Sequence, residues 1–404
     1  MTKRVFLGTR KISMNSEIRL LPFLLAVMPL QSPWLASAGP WVLTSAPTNP
    51  YTCVACSADG MKLVAGTGLG AIYTSTNWGT TWASNKPAIF SDVNWPVALA
   101  SSADGTVLGT LSSAGDILIS TDAGGTWHYS AGHGASLAFS AAGQNLAAVG
   151  NWPFYNQIFV STNSGTNWAL TGAPNVRWSG VVSSANGTKL AGVTQGSQSY
   201  SVYISTNSGV SWASNSMPIQ QLTSAATSAN GERFVAVGLD RVICISTNSA
   251  TSWFVPTGAP SLMWEAVASS ADGLRLVAAP YSAPIYTSTN SGLNWETNDA
   301  PSLQWNAVAS SADGRRLVAV APPGIWTSQS TPTPPRLNIT RIPDGILLSW
   351  TIPSISFILQ QNPSLAAANW SDVTITPTLN YSTLTYEVAL ATPATAVFFR
   401  LASQ

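Results

Sequence analysis

One octet recurs six times at a nearly constant interval, and it restricts the possible folds more than any other feature of the chain. It reads Ser75-Thr-Asn77-Trp-Gly79-Thr-Thr-Trp82, then Ser120-Thr-Asp122-Ala-Gly124-Gly-Thr-Trp127 and Ser161-Thr-Asn163-Ser-Gly165-Thr-Asn-Trp168. Later copies run from Ser205 to Trp212, Ser246 to Trp253 and Ser288 to Trp295, with start-to-start spacings of 45, 41, 44, 41 and 42 residues. A supersecondary unit of that length cannot bury both its faces alone and must stack on copies of itself.

A second motif keeps the same beat: an apolar run, a tight turn and another apolar run. It occurs seven times, with turns at Asp59-Gly60, Asp104-Gly105, Ala142-Gly143, Asn186-Gly187, Asn230-Gly231, Asp272-Gly273 and Asp313-Gly314. Asn-Gly and Asp-Gly favour the positive φ angles of hairpins, so each turn joins two antiparallel strands. The sixth unit then reads as strands over about 264–270, 274–279, 284–289 and 294–297. Such sheets close radially, which predicts an all-β β-propeller. The mismatch between seven turns and six octets locates the closure. The seventh unit stops after Ile325-Trp-Thr-Ser328, while Trp41-Val-Leu-Thr-Ser-Ala-Pro47 matches Trp168 through Pro174 and Trp253 through Pro260. The expectation is a seven-bladed β-propeller over residues 39–328, closed by the N-terminal strand, which removes the open sheet edges.

Ahead of that strand, five basic residues (Lys3, Arg4, Arg10, Lys11 and Arg19) precede an apolar run from Leu20 to Leu30. The run is short for a membrane span and is interrupted by Pro22 and Pro29, and Ala36-Ser37-Ala38 supplies small residues for cleavage. Residues 1–38 are read as a signal peptide cleaved after Ala38, giving a secreted, periplasmic or cell-surface chain with no membrane span in its mature form. Removing them changes the formal charge from +1 to −3. With no Lys/Arg block either, nucleic acid is excluded as a partner. Only 8% of residues are charged, against roughly 25% in an average soluble domain, so hydroxyls and amides must solvate the surface. The three cysteines, at 53, 56 and 244, cannot form a closed disulfide framework. Cys53-x-x-Cys56 falls on one strand, where positions three apart face opposite sides, and its counterparts in the sixth unit are the small residues Ala266 and Ser269. The pair is therefore read as packing rather than redox or metal chemistry.

The Ser-Thr-Asn-Ser-Gly-x-x-Trp octet resembles the Asp-box of the sialidase-like, BNR-repeat propellers, with Asn in place of Asp in five copies and Ala250 in place of Gly in the fifth. The Gly-x-x-Trp close also resembles the photosystem II assembly and stability-factor propellers. The Asp-box resemblance implies structural turns on the face opposite a working site, with the final Trp packing between blades. It does not carry sialidase activity onto this chain. That activity needs three converging arginines and a Tyr/Glu pair, whereas Arg233, Arg275, Arg315 and Arg316 fall at or just after the first turn of their units. The Arg341-Ile-Pro343 tripeptide, which mimics the sialidase signature, lies beyond the repeats.

Both tight turns of each unit fall on one face, so the longer and less regular connections gather on the other, the expected binding face. Trp152, Phe154, Tyr155, Tyr200 and Tyr281 lie in those loops as candidates for an aromatic ligand platform. Tyr51, Trp178, Trp264 and Trp305, with Trp95 offset by one, recur with the unit and are read as structural. The carboxylates left outside turns and boxes are chiefly Asp92, Asp116, Asp240, Glu265, Glu296 and Asp299. Glu265 and Asp240 would carry the alternative reading, a glycoside hydrolase or lyase working through two loop carboxylates. The only histidines, His128 and His133, have no evident cluster about them, and neither metal nor cofactor is expected.

After a Pro-rich linker at 329–336, short β-rich runs at 337–341, 345–351, 357–361, 373–376, 385–390 and 396–401 resemble a small fibronectin- or Ig-like sandwich, notably around Trp350 and Leu401. The functional expectation is an exported binding or scaffolding protein that recognises a glycan or protein partner on its loop face.

Overall fold

The computed structural model describes residues 39–88, 90–91, 94–150, 156–194, 201–219, 221–330, 334–353, 356–364, 369–393 and 395–403. Among them the regular structure is entirely β. Between Trp41 and Gln329 these residues form seven antiparallel sheets, each built from strands adjacent in sequence, with one exception. The first unit comprises Tyr51–Cys56, Leu63–Thr67, Ile72–Ser75 and Ala83–Asn85. The sixth comprises Trp264–Ser269, Leu276–Pro280, Tyr286–Ser288 and Glu296–Thr297, within two residues of the boundaries its turns imply. The fifth has three strands, its expected fourth reduced to a bridge between Ile245 and Phe254. Pro256 follows two residues on, and a residue without an N–H cannot extend the ladder.

The exception is the last unit. Its strands Ala307–Ser310, Arg316–Ala321 and Gly324–Gln329 are joined by Trp41–Leu43, in register Trp41 to Ser328, Val42 to Thr327 and Leu43 to Trp326. The Trp41 ring lies 6.2 Å from that of Trp305. The same aromatic pair recurs in the fourth unit as Trp212 on Trp178 at 6.1 Å, and in the sixth as Trp295 on Trp264 at 6.3 Å. Trp41 thus occupies the place that the closing Trp of an octet fills elsewhere.

The second strand of each unit explains why its sequence is apolar without alternation. Leu63–Thr67, Leu108–Ser112, Leu190–Thr194, Phe234–Gly238, Leu276–Pro280 and Arg316–Ala321 are buried at every position. A strand covered on both faces has no side to give to solvent. Each cluster of core residues mixes neighbouring sheets. One joins Ala138, Ala147, Val149 and Ile158 of the third unit to Trp178, Val181 and Leu190 of the fourth. Each large apolar side chain buried in such a layer contributes roughly 1.5–3 kcal/mol relative to exposure.

The first strands touch one another in succession, from Tyr51–Cys56 through Ala307–Ser310 and back to Tyr51–Cys56. They surround an axis, and the sheets radiate from it as a β-propeller. Where each first strand enters its turn, a Ser-Ala pair recurs. The alanine N–H of one unit donates to the alanine carbonyl of the next, from Ala58 through Ala103, Ala141, Ala185, Ala229 and Ala271 to Ala312, whose N–H returns to Ala58 at 2.6 Å. The preceding serine holds the turn. Ser57 Oγ donates to Asp59 at 2.6 Å and accepts from the Lys62 N–H at 3.0 Å, and the same two bonds recur at Ser102, Ser184, Ser270 and Ser311. Glycine is required next. A Cβ on Gly60, at φ +71°, would meet the Arg316 stem at 2.8 Å.

The C-terminal residues form two further sheets. Asn338–Ile342, Gly345–Thr351, Thr385–Ala391 and Thr378–Asn380 make one; Ser371–Asp372, Phe357–Asn362 and Phe398–Ser403 make the other. Leu348, Trp350 and Val388 of the first share a core with Leu359, Phe399 and Leu401 of the second. The run 373–376, expected as a strand, is not one: pairing involves the residues on either side of it. Val373 donates to Leu359 and packs on the core, but Ile375 is exposed and Pro377 brings no donor.

Candidate functional site

The octets build the turns on one side of the sheets. In each of the six, the Ser Oγ donates to the Asn or Asp carbonyl or carboxylate oxygen at 2.7–3.0 Å. That oxygen accepts the N–H four residues on, at 2.8–3.0 Å. The residue before the glycine takes φ between 53° and 60°, and Ala250, in the glycine place of the fifth copy, takes 58°. In the single Asp copy, the Thr126 N–H, the Thr126 hydroxyl and the Ser120 hydroxyl lower the Asp122 carboxyl to about 2. These oxygens are committed to turn geometry. They mark the turn side as scaffold.

On the loop side a bulge recurs at the head of the first strand, between Tyr51 and Cys53, Pro96 and Ala98, Trp178 and Gly180, Leu222 and Ser224, and Trp264 and Ala266. The extra residue leaves the ladder and is re-aimed, as bulges do. Those residues are Thr52, Val97, Ser179, Thr223 and Glu265, and Asn306 holds the place in the seventh unit. Several reach across to the next unit. Thr52 donates to the Pro96 carbonyl at 2.7 Å, Thr223 to that of Trp264 at 2.8 Å, and Asn306 to that of Tyr51 at 2.6 Å. The result is a polar collar around the axis, fixed by the innermost strands. Glu265 is the one carboxylate at these six positions, and burial raises its carboxyl above the ordinary range.

Tyr281 stands near this collar, between the second and third strands of the sixth unit. It is 41% exposed, its N–H bonds the Met263 carbonyl at 2.8 Å, and its hydroxyl accepts from Gln304 at 3.4 Å. The other four platform candidates, Trp152, Phe154, Tyr155 and Tyr200, lie outside the described residues, as does Asp92. Tyr51, Trp178, Trp264 and Trp305 are buried at 3% exposure or less, in keeping with a packing role. Tyr51 donates to Pro47, Trp178 to Asn156 and Trp305 to Ala283.

Asp240 sits in the turn after Phe234–Gly238, with a carboxylate oxygen folded close over Gly238. Glu265 sits on the neighbouring first strand. They come from adjacent units and both lie on the loop side, but one is bound up with its own turn and the other belongs to the collar.

One of the two histidines joins a small polar group that is not a metal site. His133 Nδ1 lies 3.7 Å from Asp116 Oδ1, and the Tyr129 hydroxyl donates to the same oxygen at 3.4 Å. A register shift between Asp116 and Ile117 brings the three together across two strands. Sequence gives no sign of such a shift. His128 is not part of the group. Among the described residues no three His, Cys, Asp or Glu side chains converge as metal ligands, and the cysteines are unpaired. No helix among them is long and apolar enough to cross a membrane.

No family model matches the chain, and no curated protein does. Solved structures do. A structure of YCF48 from Cyanidioschyzon merolae aligns over 72% of this chain and 98% of its own, at 12% identity and a TM-score of 0.57. YCF48 bound to D1 peptide covers 75% and 100%, at 14% and 0.55. The WD40 repeats of RRP9 cover 73% and 99%, at 13% and 0.60. At such identities the likeness speaks for the fold alone: this chain is a β-propeller protein.

Proposed function

We propose that this chain is an exported binding propeller that holds an extended segment of a partner protein on its loop side, across the collar. In this reading the sheets between Trp41 and Gln329 are seven blades of one ring over residues 39–328, completed by the N-terminal strand. Residues 1–38 are a cleaved signal peptide, 329–336 a linker and 337–404 a sandwich of the fibronectin or Ig kind. The octets are Asp-boxes in the sense of the sialidase-like propellers, used as turns.

The observation that carries the binding reading is the collar itself. It offers the acceptor oxygens of two threonines and an asparagine whose donors already bond the next unit, an exposed Val97, and in Glu265 a half-buried carboxylate suited to an N–H or a basic side chain. Extended peptide offers alternating amides and side chains to such a surface. A neighbouring propeller of known structure is described as bound to D1 peptide, which supports this mode of use. The reading also fits a chain in which the one octet carboxylate, Asp122, and the turn carboxylates are already spent on backbone N–H groups.

Peptide display and a glycan array, both probed with the secreted chain, test it. Selected peptides should bind with a Kd in the micromolar range. Thr223→Trp should abolish binding, Glu265→Gln should weaken basic peptides about tenfold, and Val210→Ser on the turn side should change nothing. Binding to glycans alone, or glycoside turnover lost in Glu265→Gln, would overturn the reading.

A further inference from the structure

The alanine cycle is filled from outside the propeller. Ala141, Ala185 and Ala229 form one apolar cluster and Ala58 and Ala312 another, with Ala103 and Ala271 packed against both. One side chain of the C-terminal sheets, Leu384, packs against both clusters and so spans the cycle. Ile352 is buried to 3% in the second cluster, beside Leu379 and Tyr386.

Leu384 is an odd residue for its local setting. It ends the turn between Thr378–Asn380 and Thr385–Ala391, with φ at +54°. Glycine or asparagine occupies such positions where only the turn matters, since a branched side chain in the left-handed region is disfavoured. The Ile352 N–H fixes the conformation by donating to the Leu384 carbonyl at 3.0 Å. A leucine kept at this cost is explained by what its side chain does, which is to meet a ring of methyl groups. The seat has a polar margin as well. Burial, and after it the charges of Asp59 and Tyr381, raise the Tyr386 hydroxyl above its ordinary value, so Tyr386 feels the first unit's turn.

We propose that the C-terminal domain is a stopper, seated through Leu384 on the alanine cycle, that closes the axial channel at its turn end and leaves the loop side as the mouth. The domain is then an integral part of the propeller and not a tethered spacer. The seat holds whether or not the loop side takes a peptide.

Limited trypsin cleavage after the exposed Arg336 tests the seat in the full-length chain. The two wild-type fragments should still elute together on gel filtration, and in Leu384→Glu they should separate. Wild-type fragments that separate at once, or Leu384→Glu fragments that stay together, would overturn the proposal. A chain lacking its three native cysteines and carrying Leu384→Cys with Ala229→Cys guards against a variant that fails to fold. A short bismaleimide should link its cleaved halves into one band on a denaturing gel, whereas two bands would count against the seat.

Discussion

Gly109 and Phe139 are a matched pair. The second-strand position that holds Val64, Val235, Val277 and Val318 in other units is glycine here, and a Cβ on it would run into the Phe139 ring of the next unit. Gly109→Val should therefore destabilise by roughly 2–3 kcal/mol through overpacking, and Phe139→Ala should restore much of it. Chemical denaturation of the two single variants and the double variant reads the coupling directly. The octets make a second prediction at this scale. Asp122 is held near 2 in the folded chain against an ordinary 3.8. A lowered folded value stabilises above the unfolded value and is lost as protons are taken up, so its contribution disappears between about pH 4 and pH 2. Asp122→Asn, which copies the other five octets, should flatten the fall of Tm over that window relative to wild type. Both sites were half legible in the chain. The octet announced its own turn, but nothing near Gly109 in sequence names Phe139 as its reason.

Strands are where the N-terminal segment matters. Trp41 is buried on Trp305, and its backbone N–H donates to Asp299 at 3.2 Å. Trp41→Ala should cost roughly 3–5 kcal/mol, seen as a lowered denaturation midpoint. Val42→Pro should do something different. A proline in the strand that pairs with Gly324–Gln329 weakens the ladder and leaves that edge open to other chains, so concentration-dependent association on light scattering is the expected result. The pairing of Trp41 with the last unit could be read from the count of turns against octets. The Asp116–His133–Tyr129 group could not, because a two-residue register shift is decided by the fit of two strands and leaves no mark in either.

Across the whole molecule the thiols report on closure. Cys53, Cys56 and Cys244 are all raised to about 12, chiefly by burial, so the reactive thiolate is scarce at neutral pH. The buried Cys53 and Cys244 should react with Ellman's reagent only as fast as the native chain opens, and both should react together once it unfolds. Reaction of either of them within seconds in the native state would mean that its layer opens separately. The amino-acid sequence by itself determined the repeating unit, its hairpins and octets, and the place where the N-terminal strand belongs, because turn chemistry and burial on both faces are local demands on residue type. Only the tertiary structure decided which side chains meet around the axis. The alanine cycle that receives Leu384 takes one residue from every unit and the collar that holds Glu265 takes one from six of the seven, and contacts between residues tens to hundreds of positions apart are fixed by closure of the ring, not by any neighbour in the chain.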